Sequence, residues 1–433
     1  MKRALCIAAV IITCGCGQSA FRFRADVNRD IAAGDFASAA SRIEAQKGKI
    51  YRDKDSILFN LDLGAVRHDG GAPDESDRNF ASAQQQIDDY VTSVSQSASR
   101  VVKNDLTVAY QARDYERSMT FVYRALNFLD QGSLQGALVE ARKAVFFLGR
   151  LRRSTSSGYN DDPFVQYFAS LLFESGGFLS DARISRANSL DAYARFAPFY
   201  NVPAPDFNVP SNAGQMGEIV FVHYNGVAPL LASQTMQVAW GNAMLTAGAT
   251  SELYSEQPAV QNALLAGFTG NAITVAYPVV VQQRFFIRSS SVEVDGTPQD
   301  TVLVHDISAL VRQDLSDRMP GIMARVIARA VMRQVLNNTT RNAVSNATKD
   351  ENLGNLAGML FSAFAAAAER ADTRLWFTLP AEIRMARVFV PPGRHRIIFR
   401  AFDANGALIE TQDLGEVDIQ AGARIYLHTR TGK

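Results

Sequence analysis

"LNFLDQGSLQGALVEARKAV", residues 126–145, decides how the first half of this chain is read. An apolar run at helical spacing stops at Gly132, and a second one carrying Ala137, Ala141 and Ala144 starts just beyond it. Glycine suits the end of a helix because it enters left-handed backbone freely. Small residues then let the next helix close tightly on the first. The arrangement recurs in "AAGDFASAASRI" (32–43), where Gly34, Asp35 and Phe36 precede Ala39. It recurs again in "LLFESGGFLSDARISRANSL" (171–190), where Gly177 precedes Ala182.

Repetition of one helix–turn–helix unit marks a solenoid. The spacing is uneven, because "RRSTSSGYNDDP" lengthens the interval between Ala137 and Ala182. "DKDSILFNLDLGAVR" and "DRNFASAQQQIDDYV" read as a further, irregular helix pair between the first two copies. The expectation for residues 16–200 is therefore a degenerate α-helical solenoid that resembles tetratricopeptide repeats, in preference to a generic bundle. Such stacks leave a concave surface that receives a peptide or a partner domain. In this register Met119, Val122, Leu126 and Leu129 line that surface in one repeat, and Phe164, Tyr167 and Leu171 in the next. The competing expectation is that the C-terminal part or a Pro-rich strap fills the groove internally.

The chain starts "MKRALCIAAVIITCGCGQS". Lys2 and Arg3 precede an apolar run and then small residues, the order of a bacterial export signal. The run is far short of the ~20 residues that span a bilayer. A small residue before a cysteine at its end resembles a lipobox, which makes 1–15 a lipoprotein signal peptide and Cys16 the lipidated residue. Cys14 is the rival, but Thr13 before it is a poorer match than Gly15. Cys6, inside the apolar run, is the only other cysteine. A chain processed at Cys16 carries no free thiol, as suits an oxidising compartment, and this excludes cysteine nucleophiles and Cys-ligated metals. Gly17 rather than Asp after the cysteine favours an outer-membrane anchor facing the periplasm.

"APFYNVPAPDFNVPSNAGQMG" (197–217) contains four prolines and repeated Asn and Gly, a poor helix. It marks a Pro-rich linker or strap, assigned to 201–217, ahead of a mixed α/β domain over 218–433. That domain opens with "GEIVFVHYNG" (217–226), a strand stopped at Asn225-Gly226, and Asp295-Gly296 sits between two alternating runs as a hairpin turn. A helix from Ile307 follows. Its apolar stripe is Met323, Val326, Ile327, Ala330 and Val331, with Arg325, Arg329 and Arg333 recurring beside it. The sharper reading of those arginines is an anion or headgroup contact; the ordinary one is a solvated or salt-bridged flank. "LGNLAGMLFSAFAAAA" (353–368) reads as a buried core helix, and 372–433 as a β-rich end module similar to small β-sandwiches. The fold class expected is thus α+β and multidomain.

Of 433 residues, 47% are hydrophobic and 20% charged, with a formal net charge of +1, so no global field recruits nucleic acid. The five histidines, His68, His223, His305, His395 and His428, are scattered, and none has an acid or second histidine at metal-binding spacing. No metal site and no cofactor is expected. No phosphate loop, Gly-x-Ser-x-Gly elbow or His-Glu-x-x-His helix occurs. Asp161 and Asp162 before Pro163 fit a helix cap better than a catalytic pair. Glu174-Ser175 is similar to the Glu-Ser of lytic transglycosylases for two residues only, after which "GGFLSDA" continues as a helix turn.

The lipobox, the solenoid with "GYNDDPF", the strand "EIVFVHYNGVAP" and "ADTRLWFTLPAEIRMARVFVPPG" together resemble a group of uncharacterised bacterial lipoproteins with tetratricopeptide-like N-terminal halves. The resemblance implies an envelope location and brings no reaction or catalytic residue. The function expected is a non-enzymatic scaffold or adaptor that binds envelope proteins or peptides. The alternatives are a structural subunit of an envelope assembly and, last, a cell-wall hydrolase.

Overall fold

The computed structural model describes residues 15–94, 108–154, 161–207, 209–239, 272–348 and 370–433. The first half is helical, as expected. Its helices are α1 (Gly15–Ala32), α2 (Phe36–Glu44), α3 (Ser56–Asp69), α4 (Pro73–Val94), α5 (Asp114–Asp130), α6 (Leu134–Ser154), α7 (Pro163–Ser175) and α8 (Leu179–Tyr200). They form four pairs, each joined by one kind of turn. Gly34, Gly71, Gly132 and Gly177 stand there at φ 74°, 73°, 73° and 77°. The next amide donates five residues back in every case, Asp35 to Asp30, Ala72 to Arg67, Ser133 to Phe128 and Phe178 to Phe173, at 2.9, 2.9, 2.7 and 2.8 Å. This closes the carbonyls that a helix end leaves open. The α3/α4 pair, irregular by sequence, thus has the same turn as the other three. Each helix packs on the next, and α3 with α5 and α5 with α7 also touch. Ala39, Ala137 and Ala182 are buried. The tightest approach is one residue earlier than Ala137, at Gly136, where a methyl group would lie 2.5 Å from the Phe128 ring.

The second half contains β1 (Gly217–Asn225), β2 (Leu230–Ala239), β3 (Ala272–Val281), β4 (Ser289–Val294), β5 (Thr297–Asp300), β6 (Val302–Asp306), α9 (Ile307–Thr348), β7 (Glu382–Val390), β8 (Gly393–Phe402), β9 (Leu408–Ile419) and β10 (Arg424–Thr431). Three sheets result, in strand orders β10-β1-β7-β6, β2-β3 and β5-β4-β8-β9. The expected hairpin turn at Asp295-Gly296 joins β4 to β5, both residues at positive φ. Strand β1 lies parallel to β10 and antiparallel to β7. It is buried along its whole length. Ile219 and Phe221 join a small core with Val292, Ile397 and Phe399 of the other four-stranded sheet. Val220, Val222 and Tyr224 join the large core with the helices. Burial on both faces explains why "GEIVFVHYN" reads as a nearly continuous apolar run.

This topology corrects two expected boundaries. Residues 372–433 do not form a separate β module, because β7 and β10 complete the sheet of β1 while β8 and β9 complete that of β4. Nor is 201–217 a free linker between 16–200 and 218–433. One core runs from Phe23 to Tyr426, Val202 is buried in it, and Phe207 stacks on Tyr167 with ring centroids 5.9 Å apart. The expected helix at 353–368 and residues 1–14 lie outside the described residues, as does the side chain of Cys16. No helix among the described residues is long and apolar enough to cross a membrane.

Candidate functional site

The residues expected to line an open groove are in the core. Met119, Val122, Leu126, Phe164, Tyr167 and Leu171 are buried, and Leu129 is partly buried against them. The rest of the chain covers them. His305 of β6 stacks on Phe164 at 5.1 Å, Phe207 of the strap on Tyr167, and the Arg387 guanidinium of β7 reaches the Tyr167 hydroxyl at 3.4 Å. Tyr426 of β10 meets the edge of Phe168 at 5.9 Å. The groove is filled from within, so the six buried side chains offer no surface to a partner, and Leu129 keeps only a partly exposed edge. The cause is the apolar inner face of the β1 sheet, which needs cover as much as the helices do.

A different surface carries unusual chemistry. A cleft of about 400 Å³ opens between the approach to α5, the middle of α9, the β2–β3 ribbon and residues 370–374. Six arginines reach its wall, Arg113, Arg318, Arg325, Arg329, Arg370 and Arg374, against one carboxylate, Asp372. Helix α9 supplies three of them on the turns that also present Leu315, Ile322 and Val326. The spacing follows the helical repeat, so one face shows cations and apolar side chains in alternation. The expected stripe of α9 is present: Val326, Ile327 and Val331 are buried, with Met323 and Ala330 packed beside them. Arg329 is also buried, which a solvated flank does not require.

Not all six cations are equally committed. Arg374 binds Asp55 at 2.9 Å and Asp372 at 2.7 Å, and donates to the Val108 carbonyl at 2.9 Å. Burial alone would lower its affinity for the proton, but Asp372 and then Asp55 push the guanidinium above its ordinary value. In turn Asp372, which burial would raise, is held below the carboxylate range by Arg374. Arg318 pairs with Asp314, and Arg113 approaches the same carboxylate at 4.0 Å. Behind Arg113, the buried Glu116 accepts from the Tyr110 hydroxyl and from the amides of Arg113 and Trp376 at 2.7 and 2.9 Å. Among the described residues Arg325 has no carboxylate partner. A cleft lined this way can bind an anion that also carries apolar groups, since guanidinium forks match carboxylate and phosphate geometry.

The other singled-out residues have structural work. Asp162 caps α7, accepting from the Val165 amide at 3.1 Å with Pro163 as the first helical residue. Asp161 is held by Arg195 at 2.8 Å and Gln166 at 2.9 Å. Glu174 pairs with Arg424 at 2.8 Å, and Ser175 meets the Tyr426 hydroxyl at 2.9 Å. The histidines depart from expectation. His68, Asp130 and His428, far apart in sequence, converge so that one ligand atom from each lies within 4.8 Å of the others. No family model, no curated protein and no solved structure matches the chain. Its chemistry is therefore read from its own geometry.

Proposed function

We propose that this protein is a non-enzymatic adaptor of the bacterial envelope, tethered through a lipid on Cys16 to the periplasmic face of the outer membrane. Its helix pairs represent a degenerate tetratricopeptide-like array whose groove is closed, and its partner binds at the arginine-lined cleft instead. The observation that carries this reading is the convergence of six guanidinium groups with one carboxylate on a partly apolar cleft. The ligand that fits is an acidic segment of an envelope protein, its carboxylates on the arginines and its apolar side chains against Leu231, Leu315 and Ile322. Binding of this kind weakens with salt, because exposed charges are screened within ~8–10 Å at physiological ionic strength.

A photo-crosslinking residue placed at position 325 in cells tests the reading. One envelope protein should be captured, and capture should fall at least tenfold when Arg318 and Arg329 are replaced by Glu. Capture unaffected by those charge reversals, or none at all, would refute the cleft as the binding site. The anchor is tested separately. Cys16→Ala should abolish lipid labelling and release the protein from membranes; persistent labelling, lost instead in Cys14→Ala, would move the lipid to Cys14.

A further inference from the structure

We infer that His68, Asp130 and His428 form a binding site for a divalent transition-metal ion, Zn2+ above all, at the seam between helices and sheet. The site is independent of the arginine cleft. His68 stands at the end of α3, Asp130 is the last residue of α5, and His428 lies on β10. The two imidazoles stack with centroids 4.3 Å apart and planes 16° from parallel, so the partly exposed His428 ring must turn for both in-plane lone pairs to meet one ion. The Nε2 atom of His428 is 3.0 Å from the Asp130 carboxylate.

The hydrogen bonds behind His68 fix which of its nitrogens faces a ligand. The Ser76 hydroxyl donates its one proton to the Gly64 carbonyl at 2.8 Å. It can therefore only accept from Asn127, whose Nδ2 lies 2.8 Å away. That turns the Asn127 Oδ1 toward His68 Nδ1 at 2.7 Å, an acceptor that requires the proton on Nδ1. The lone pair of the neutral ring is then on Nε2. This atom is buried, His68 being 1% exposed, and it has no hydrogen-bond partner among the described residues. An amide oxygen that fixes the tautomer of a ligating histidine is the usual outer-shell device of metal sites. Leaving such an acceptor buried and unmade is unfavourable, and a cation would satisfy it.

The donor set selects the ion. Two imidazole nitrogens and one carboxylate oxygen suit Zn2+, with bonds of about 2.0–2.2 Å, and leave a fourth position open. Ca2+ and Mg2+ favour oxygen donors and are poorly matched. The neighbouring Arg430 does not bring a net positive charge, because Asp69 faces it at 3.6 Å. An ion held here would fasten α3 and α5 to β10 and so join the helical half to the sheet.

Titration of the chelator-treated full chain with Zn2+ and with Co2+ tests the inference. One equivalent should bind, Co2+ should develop visible absorption bands of a tetrahedral or five-coordinate site, and the melting temperature should rise and level off at that equivalent. His428→Ala and Asp130→Asn alter partly exposed side chains and should keep the circular dichroism of the parent while weakening Zn2+ binding about tenfold or more. Ca2+ and Mg2+ should not displace Co2+. Absence of binding at micromolar Zn2+, or binding that both variants leave unchanged, would overturn the site.

Discussion

In residues 15–200 each of the four glycine turns is closed by an amide that reaches five residues back, whereas in residues 217–433 a strand finds a neighbour 206 residues away. Gly34, Gly71, Gly132 and Gly177 repeat one backbone conformation with no need of the rest of the chain. By contrast, β1 has no sequence neighbour in its sheet: β10 and β7 flank it. The helical half is thus defined locally and the sheet half globally. Yet neither is buried alone, because Tyr224, Trp376 and Tyr426 of the second half lie in the core of the first. Local definition does not confer independent stability.

The strongest attempt to separate the halves is Trp376→Ala. This fully buried ring, on the segment before β7, lies 5.6 Å from both Phe80 and Tyr123 of the helical half. Truncating a core aromatic costs about 3–5 kcal/mol. Urea unfolding should shift to lower concentration with helix and sheet signals still coincident. If sheet signals shift while helix signals stay, the halves are separate domains after all.

A second perturbation sharpens the comparison through pH. Asp62 of α3 is fully buried beneath Thr378 of the second half, and burial pushes its carboxyl up to about 8, against hydrogen bonds from Tyr51 at 2.8 Å and Thr378 at 3.1 Å. An unfolded aspartate titrates near about 3.9. The folded state therefore holds the proton more tightly, so its advantage is complete below about pH 4, is lost as pH rises to about 8, and is level above. At about 1.4 kcal/mol per pKa unit the ceiling is about 6 kcal/mol. Water entry and relaxation should bring the observed loss to roughly half that. Asp62→Asn should flatten this slope relative to the parent in melts from pH 4 to 9; equal slopes would show that Asp62 is ionised in the fold.

The smallest effect should come from the turns. Alanine at Gly132 meets no atom within 4 Å, so its cost is the left-handed backbone alone, about 1–2 kcal/mol. Gly34→Ala, Gly71→Ala and Gly177→Ala should match it, as their φ values do. A spread of thermal shifts beyond experimental scatter would mean that the four turns are not equivalent in energy.

The same difference in length scale governs what could be read from the sequence. Three of the four helix turns were legible because Gly34, Gly132 and Gly177 each stop an apolar run. The fourth was obscured by "DGGAPDE", where Gly70 and Gly71 adjoin and Pro73 opens α4. Asn225-Gly226 and Asp295-Gly296 were legible as local strand ends. The partners of β1 were not, so β7 to β10 looked like a module of their own. The periodic Arg325 and Arg329 pointed at the cleft, but Arg113, Arg370 and Arg374 join them only through packing. His68, Asp130 and His428 carried no motif at all, since ligand spacing is a pattern only when one element supplies it. The groove residues had the right helical register and the wrong exposure, because periodicity marks an apolar face without saying what covers it.

The parallel pairing of β1 with β10 joins residues 206 apart in sequence. Closing so long a loop is entropically unfavourable before any contact rewards it, and pairings of this kind slow folding. Until β7 and β10 arrive, "GEIVFVHYN" is an apolar strand with both edges and both faces open, a segment prone to associate with other chains. The helices can form early and offer it one face to rest on. The order of assembly that avoids aggregation is therefore helices first, β1 upon them, and β7 and β10 last, with a holding chaperone most useful in the interval between.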